Sequence, residues 1–114
     1  QNGDTGNNYS RTTFTYDTAN VISSRTLNQS ALVTTADGIS STGVSTHIIH
    51  IMNYSNTNTY KTVLMRNGNS QYGTEITVGL WRSTAAITSF TYYITGAGAW
   101  STSSTFTLYG VKAA

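Results

Sequence analysis

The clearest strand signal in the sequence is GTEITVGLWR, from Gly73 to Arg82. Ile76, Val78 and Leu80 alternate with smaller or polar residues, and Trp81 falls on the opposite side, which is the period of two expected for a β-strand with two distinct faces. The β-branched residues of this stretch suit a pleated strand better than a helix. We therefore predict a strand here, with Ile76, Val78 and Leu80 turned toward the core.

Other stretches share this character, because Thr, Tyr, Val and Ile are frequent and helix formers are few. The predicted strands cover residues 9–16, 20–26, 30–35, 44–53, 60–66, 73–82, 86–95 and 105–112. Asp37-Gly38 and Asn67-Gly68 predict turns, since these residues tolerate a positive φ. The pattern indicates an all-β protein, an antiparallel β-sandwich of about seven to eight strands that forms a single domain over residues 1–114.

Alternation within the strands also predicts the core. The predicted core residues are Phe14, Ile49, Ile51, Val63, Ile76, Val78, Leu80, Phe90, Ile94, Phe106 and Leu108. With Ile49 and Ile51 inside, the opposite face of the segment Val44–Asn53 carries Ile48, His50 and Met52. An apolar pair that flanks a titratable histidine indicates a subunit interface rather than open solvent.

Composition excludes several classes of protein. The chain of 114 residues contains 22 Thr, 14 Ser, 10 Asn and 10 Gly. The net charge is only +2 and 8 residues are Tyr, and this low charge and aromatic content argue against disorder. The six cationic residues are scattered, whereas nucleic-acid binders cluster theirs, so no nucleic-acid partner is expected. There is no Cys and no apolar run of membrane-spanning length, so neither disulfides nor membrane insertion are predicted.

No arrangement of residues predicts catalysis, a metal or a cofactor. Asp4-Thr5-Gly6 matches the aspartic-protease motif, but polar residues precede it where that family needs a buried apolar strand, so a turn is the better interpretation. His47 and His50 are three apart and should point to opposite faces of a strand. The four acidic residues show no paired spacing. We predict a protein that is not an enzyme, with no catalytic and no metal-binding residues.

The surplus of aromatic residues suggests a binding surface. Tyr54 and Tyr72 lie in or beside loops rich in Asn, Ser and Gly, and Trp100 lies in a loop of small residues. Aromatic rings among short polar side chains make good contact surfaces for sugars or proteins. Tyr54, Tyr72 and Trp100 are therefore the candidate glycan or receptor contacts, with packing in the core or at a subunit interface as the alternative.

Four segments, taken together and in this order, resemble a family of small virion structural proteins and fibre-tip domains of tailed bacteriophages, common in marine and cyanobacterial phages. The segments are NGDTGNNYS at 2–10, NYSNTNTYKT at 53–62, GLWRSTAAIT at 79–88 and STFTLYGVK at 104–112. The resemblance implies a jelly-roll-like sandwich that the final strand closes. It also implies a further strand upstream of Asn2, so the first strand of the family's fold is expected to be missing here.

The resemblance implies a role in the virion. We expect a tail-fibre or spike tip, or a decoration of the capsid surface, that contributes to assembly and to host-surface attachment, with a host glycan and other virion proteins as partners. A homotrimer is the expected state, and the absence of Pro, which often protects edge strands from pairing, fits an assembled protein. The alternative is a carbohydrate-binding or adhesin-like β-sandwich module of cellular origin.

Overall fold

One antiparallel sheet of five strands organises the computed structural model, which describes residues 1–16, 19–34, 43–71, 73–95 and 98–111. The strands are β1 (Tyr9–Tyr16), β2 (Val21–Gln29), β3 (Ser45–Ile51), β4 (Lys61–Asn69) and β5 (Gly73–Trp81). Their order across the sheet is β2-β1-β5-β4-β3, so β2 and β3 form the edges. Within the described ranges no helix is long and apolar enough to cross a bilayer.

The all-β prediction is confirmed, and each of the five strands falls on a predicted one. The described parts of the other predicted strands, at 30–34, 86–95 and 105–111, contain no strand, so the sheet accounts for only part of the expected sandwich. The predicted turn at Asp37-Gly38 lies outside the described residues.

The turn predicted at Asn67-Gly68 is wrong. Strand β4 continues through both residues, which pair with Glu75 and Thr74 of β5. Asn67 stays in the strand because its buried carboxamide bonds to His47 and Glu75. The chain turns after Asn69, whose Oδ1 accepts the Gln71 amide at 2.8 Å, the local bond that makes Asn a turn residue.

The two faces of the sheet have different surroundings. One, here called the covered face, lies against the N-terminal turn and the segments 30–34 and 82–95. The buried residues of this face are Tyr9, Thr13, Thr15, Lys61, Val63, Met65, Asn67, Asn69, Glu75, Thr77, Gly79 and Trp81. The segment 30–34 approaches the sheet most visibly at Gly79, where a Cβ atom would lie only 2.7 Å from the Leu32 Cδ1 atom.

The facing predicted for β1 and β5 is therefore reversed. Phe14, Ile76 and Val78 are exposed, while Thr13 and Thr77 opposite them are buried. The reason lies in Trp81, which stacks on its cross-strand partner Tyr9 with ring centroids 6.3 Å apart on the covered face. Strict alternation then turns every second residue of both strands away from that face. Phe90, Phe106 and Leu108 are also exposed, whereas the core assignment is correct for Val63.

A row of polar side chains crosses the covered face. The Thr77 hydroxyl donates to the Glu75 Oε1 atom at 2.8 Å, and the Thr13 hydroxyl lies 3.1 Å from the Thr77 oxygen. Since a hydroxyl has one proton to donate, Thr13 donates to Thr77 in turn. Asn67 extends the row, with its Nδ2 atom 3.5 Å from Glu75 Oε1 and its Oδ1 atom 2.9 Å from His47 Nδ1.

We expect Thr77→Val to lower the free energy of unfolding by about 1–3 kcal/mol, because valine keeps the shape and leaves Glu75 and Thr13 each short of one hydrogen-bond partner. Thr74→Val, on the exposed side of the same strand, is the matched control and should change stability by less than about 0.5 kcal/mol. Urea denaturation measures both. Equal losses in the two variants would show that the hydroxyl row contributes nothing.

Candidate functional site

The second face of the sheet, here called the open face, is apolar and uncovered in the described structure. Its large apolar residues include Phe14, Tyr16, Val21, Ile48, Leu64, Ile76, Val78 and Leu80. Phe14 is 52% exposed, and Ile76 and Val78, on a central strand, are 48% and 45% exposed. A soluble monomer rarely exposes so continuous an apolar surface, and such patches mark interaction sites.

The charges of the open face have one sign. Arg25 lies opposite Thr12 on β2, and Arg66 lies opposite Ile76 and Ile48 at the middle of β4. Of the acidic residues that the structure describes, Asp4 and Glu75 both lie on the covered side. The open face thus combines exposed apolar side chains with two guanidinium groups, and no described acidic residue lies among them.

The three predicted interface residues lie on this side of the sheet. Ile48 and His50 occupy exposed positions of β3, while Ile49 and Ile51 on the same strand turn toward the covered side. Met52, just after the strand, is exposed as well, and its amide bonds to the Thr62 carbonyl at 2.9 Å. The larger part of the surface, around Phe14, Ile76 and Val78, was missed because those residues were assigned to the core.

Of the predicted glycan contacts, the structure describes Tyr54 and Trp100, which lie in different segments of the chain. Trp100 lies in an aromatic cluster with Tyr92 and Phe106, at centroid distances of 5.0 Å and 5.1 Å. Tyr54 is exposed in the loop between β3 and β4, and no ring contact joins it to Trp100 in the part of the chain that the structure describes. Tyr72 lies outside the described residues.

A cavity of about 610 Å³ lies between the covered face and the segments over it. Tyr9, Met65, Leu32 and Tyr92 are among its lining residues, which are mostly apolar. The buried hydroxyl of Tyr92 has no hydrogen-bond partner among the described residues, and burial raises the pKa of this phenol. The volume is in the range of small-molecule sites.

The last described segment, residues 105–111 and here called the tail, is exposed along its length. Leu108 is 93% exposed, and Phe106, Tyr109 and Val111 are also largely in solvent. Phe106 touches the rest of the chain through Trp100 and Tyr92. Like the open face, the tail presents apolar side chains that the described residues leave largely exposed.

Asp4 of the Asp-Thr-Gly motif lies in a turn and bonds to structural groups. Its carboxylate accepts hydrogen bonds from Trp81 Nε1 at 2.6 Å, from the Gly6 amide at 2.8 Å and from Asn8 Nδ2 at 3.0 Å. These donors, Trp81 first, hold the pKa of Asp4 below its ordinary value of 3.8. Burial, together with the Asp4 charge, raises the pKa of Tyr9 nearby to about 12.

His47 and His50 lie on different sides of β3. His47 is on the covered side, with its ring 5.9 Å from the ring of Tyr92, and His50 is on the open face. Within the described ranges, no three His, Asp or Glu side chains come close enough to hold a metal ion together.

No family model, no curated protein and no solved structure matches this chain.

We expect the Asp4 carboxylate to contribute to stability at neutral pH. Because its pKa is lowered on folding, that contribution is complete above the unfolded value of 3.8 and is lost as the pH falls through the folded pKa. Urea denaturation between about pH 2 and pH 6 should show a steeper acid loss for the wild type than for Asp4→Asn. The other acidic residues are shared by both proteins, so parallel curves would contradict the assignment to Asp4.

Proposed function

We propose that this chain is a non-enzymatic structural component of a phage virion, in which it contributes to assembly and to host-surface attachment. It acts as a tail-fibre or spike tip, or as a decoration of the capsid surface, and it forms a homotrimer. The open face carries this proposal, because a central strand with Ile76 and Val78 about half exposed requires a covering partner in water.

Energetics support an assembled state. Burying apolar surface contributes roughly 25 cal/mol per Å². Five strands spaced about 4.8 Å apart make the sheet roughly 24 Å wide, and strands of about eight residues with a rise of about 3.3 Å make it roughly 26 Å long. The open face therefore has an area of roughly 600 Å². That area approaches the roughly 800 Å² that each partner contributes to a stable interface. The surface is therefore large enough to join subunits.

The finer architecture we propose is the jelly-roll-like sandwich of about seven to eight strands. A single sheet that is apolar on one face normally packs that face against another layer. The segments without regular structure outside the sheet, the tail among them, are the candidates for that layer, and we propose that the layer forms when subunits assemble. The resemblance of residues 2–10, 53–62, 79–88 and 104–112 to virion proteins supports this architecture and the location in the virion.

A second candidate function is that of a carbohydrate-binding or adhesin-like module. The cavity of about 610 Å³ favours it, because tyrosine rings line it and the buried hydroxyl of Tyr92, which has no partner among the described residues, could bond to a sugar there. A soluble monomer that binds sugars in a calorimetric titration would support this function over the first.

Ile48→Asp should dissociate the assembly, because it places a carboxylate in the apolar interface, where an unpaired charge is costly. Ile48 is already 44% exposed, so the β-sheet signal in circular dichroism should stay unchanged. Thr57→Asp, in the exposed loop between β3 and β4, is the control and should keep the wild-type sedimentation. A wild-type protein that sediments as a 12.3 kDa monomer at micromolar concentration would contradict the assembly.

Electron cryo-microscopy of the intact particle tests the location. We expect density for the five-stranded sheet at the tip of a fibre or spike, or on the outer capsid surface. The protein should occur there in threefold arrangement with its open face against a neighbouring copy. Particles that lack the chain would refute the structural role and leave the sugar-binding module as the remaining candidate.

A further inference from the structure

The cavity on the covered face has an apolar floor that belongs to the sheet. Ile49 of β3 and Met65 of β4 are cross-strand partners, and Val63 lies on the same face of β4 as Met65. Val63 and Met65 are buried, so they form the bottom of the cavity. Leu32 and Ile94, from the segments that cover the sheet, add apolar walls. A molecule in this cavity therefore meets aliphatic side chains from both layers.

The volume of the cavity, about 610 Å³, is too large for a packing defect. Protein interiors contain few voids that are larger than a single water molecule. An apolar cavity of about 150 Å³ is already large enough to accept benzene. The cavity on the covered face therefore has room for a molecule of about two or three rings, which is the size of an ordinary small-molecule ligand.

The cavity is reached from the side away from the sheet. Thr5, Ser30 and Thr91 are exposed lining residues, and all three belong to the N-terminal turn or to the covering segments. Those covering segments, residues 30–34 and 90–95, contain no helix or strand, so no ladder of backbone hydrogen bonds holds them in place. A ligand can therefore enter without breaking the sheet.

The lining favours a ligand without charge. Asp4 is the only Asp, Glu, Lys, Arg or His among the lining residues that the structure describes. Its carboxylate already accepts hydrogen bonds from Trp81, Gly6 and Asn8, so a cationic ligand would have to compete with three donors for it. An anionic ligand would leave water without a cationic side chain to pair with, and an unpaired charge in apolar surroundings is costly.

We propose that this cavity binds an uncharged, mainly apolar small molecule of about two or three rings. The aliphatic floor and walls remove the apolar surface of such a molecule from water. A free sugar, the ligand of the second candidate function, would instead place hydroxyl groups against Val63, Met65 and Leu32, where they lack hydrogen-bond partners. The inference goes beyond the proposed role in the virion, because the cavity lies within one chain and does not depend on assembly.

The two methionines of the wild-type chain report where a ligand binds. Met65 lies in the cavity floor, whereas Met52 is exposed and is not among the described lining residues. The probe is 2-naphthol, which has two fused rings and no charge at neutral pH. In methyl NMR of protein labelled with ¹³C at the methionine methyl groups, its ring current should shift the Met65 signal and leave the Met52 signal in place, with a Kd of roughly 0.1–2 mM. Met52→Leu assigns the signals. A shift of Met52 alone, or of neither methyl, would overturn the proposal.

The anionic analogue 2-naphthoate tests the ligand class and separates the cavity from the open face. Arg25 and Arg66 lie on the open face, so binding there would favour 2-naphthoate. The cavity should show the opposite preference, with 2-naphthol bound at least about tenfold more tightly. Equal affinities of the two compounds, measured by the Met65 shift, would contradict an uncharged ligand.

A cavity-filling variant provides the matched mutational test. Ala31→Trp puts a large ring into the lining and should weaken 2-naphthol binding at least about tenfold, whereas Ala85→Trp, at an exposed position outside the described lining, should bind like the wild type. Circular dichroism verifies that both variants fold, and the methionine measurement on the wild type requires neither. If glucose or galactose shifts Met65 and 2-naphthol does not, the inference is overturned and the second candidate function gains support. If 2-naphthol shifts Met65 in a wild type that sediments as a monomer, the cavity site stands and the proposed assembly fails.

Discussion

The indole of Trp81 sets the facing of the sheet. It donates to Asp4 at 2.6 Å, stacks on Tyr9 and lies beside Lys61, whose ammonium group bonds to the carbonyls of Thr59 and Thr84. The N-terminal turn, three strands and the segment after β5 thus meet at one ring. Once Trp81 is turned inward, the pleat turns Thr77 and Glu75 inward with it.

The inward orientation of Trp81 leads to an unusual distribution of polar and apolar side chains over the two faces of the sheet. The covered face buries a carboxylate, an ammonium group and several hydroxyl and carboxamide groups, and it must satisfy them through specific hydrogen bonds. The apolar residues that could have filled a simple core, Ile76 and Val78 among them, are left on the outside. The buried polar groups are thus collected on the covered face, while several large aliphatic and aromatic side chains lie on the face that the described structure leaves in water.

The sequence was sufficient to locate β1 and β5 but not to predict which way their residues face. Period-two alternation located β1 and β5 to within one residue, because it depends on local backbone geometry. The same alternation does not determine which face is covered, because Ile76 and Val78 lie on one side and Trp81 lies on the other. That choice depends on Asp4 and Tyr9, which are distant in sequence. The predicted turn at Asn67-Gly68 was wrong for a similar reason, because a hydrogen bond to His47, which is distant in sequence, keeps Asn67 in the strand.

The candidate surfaces also differ in how far the sequence could predict them. Ile48, His50 and Met52 could be placed on the exposed side from the pattern of β3 alone, since Ile49 and Ile51 mark its covered side. The clustering of Trp100 with Tyr92 and Phe106 could not be predicted, because the three rings come from separate segments without regular structure. Side-chain pairs within one strand follow from spacing, whereas clusters between irregular segments depend on the whole fold.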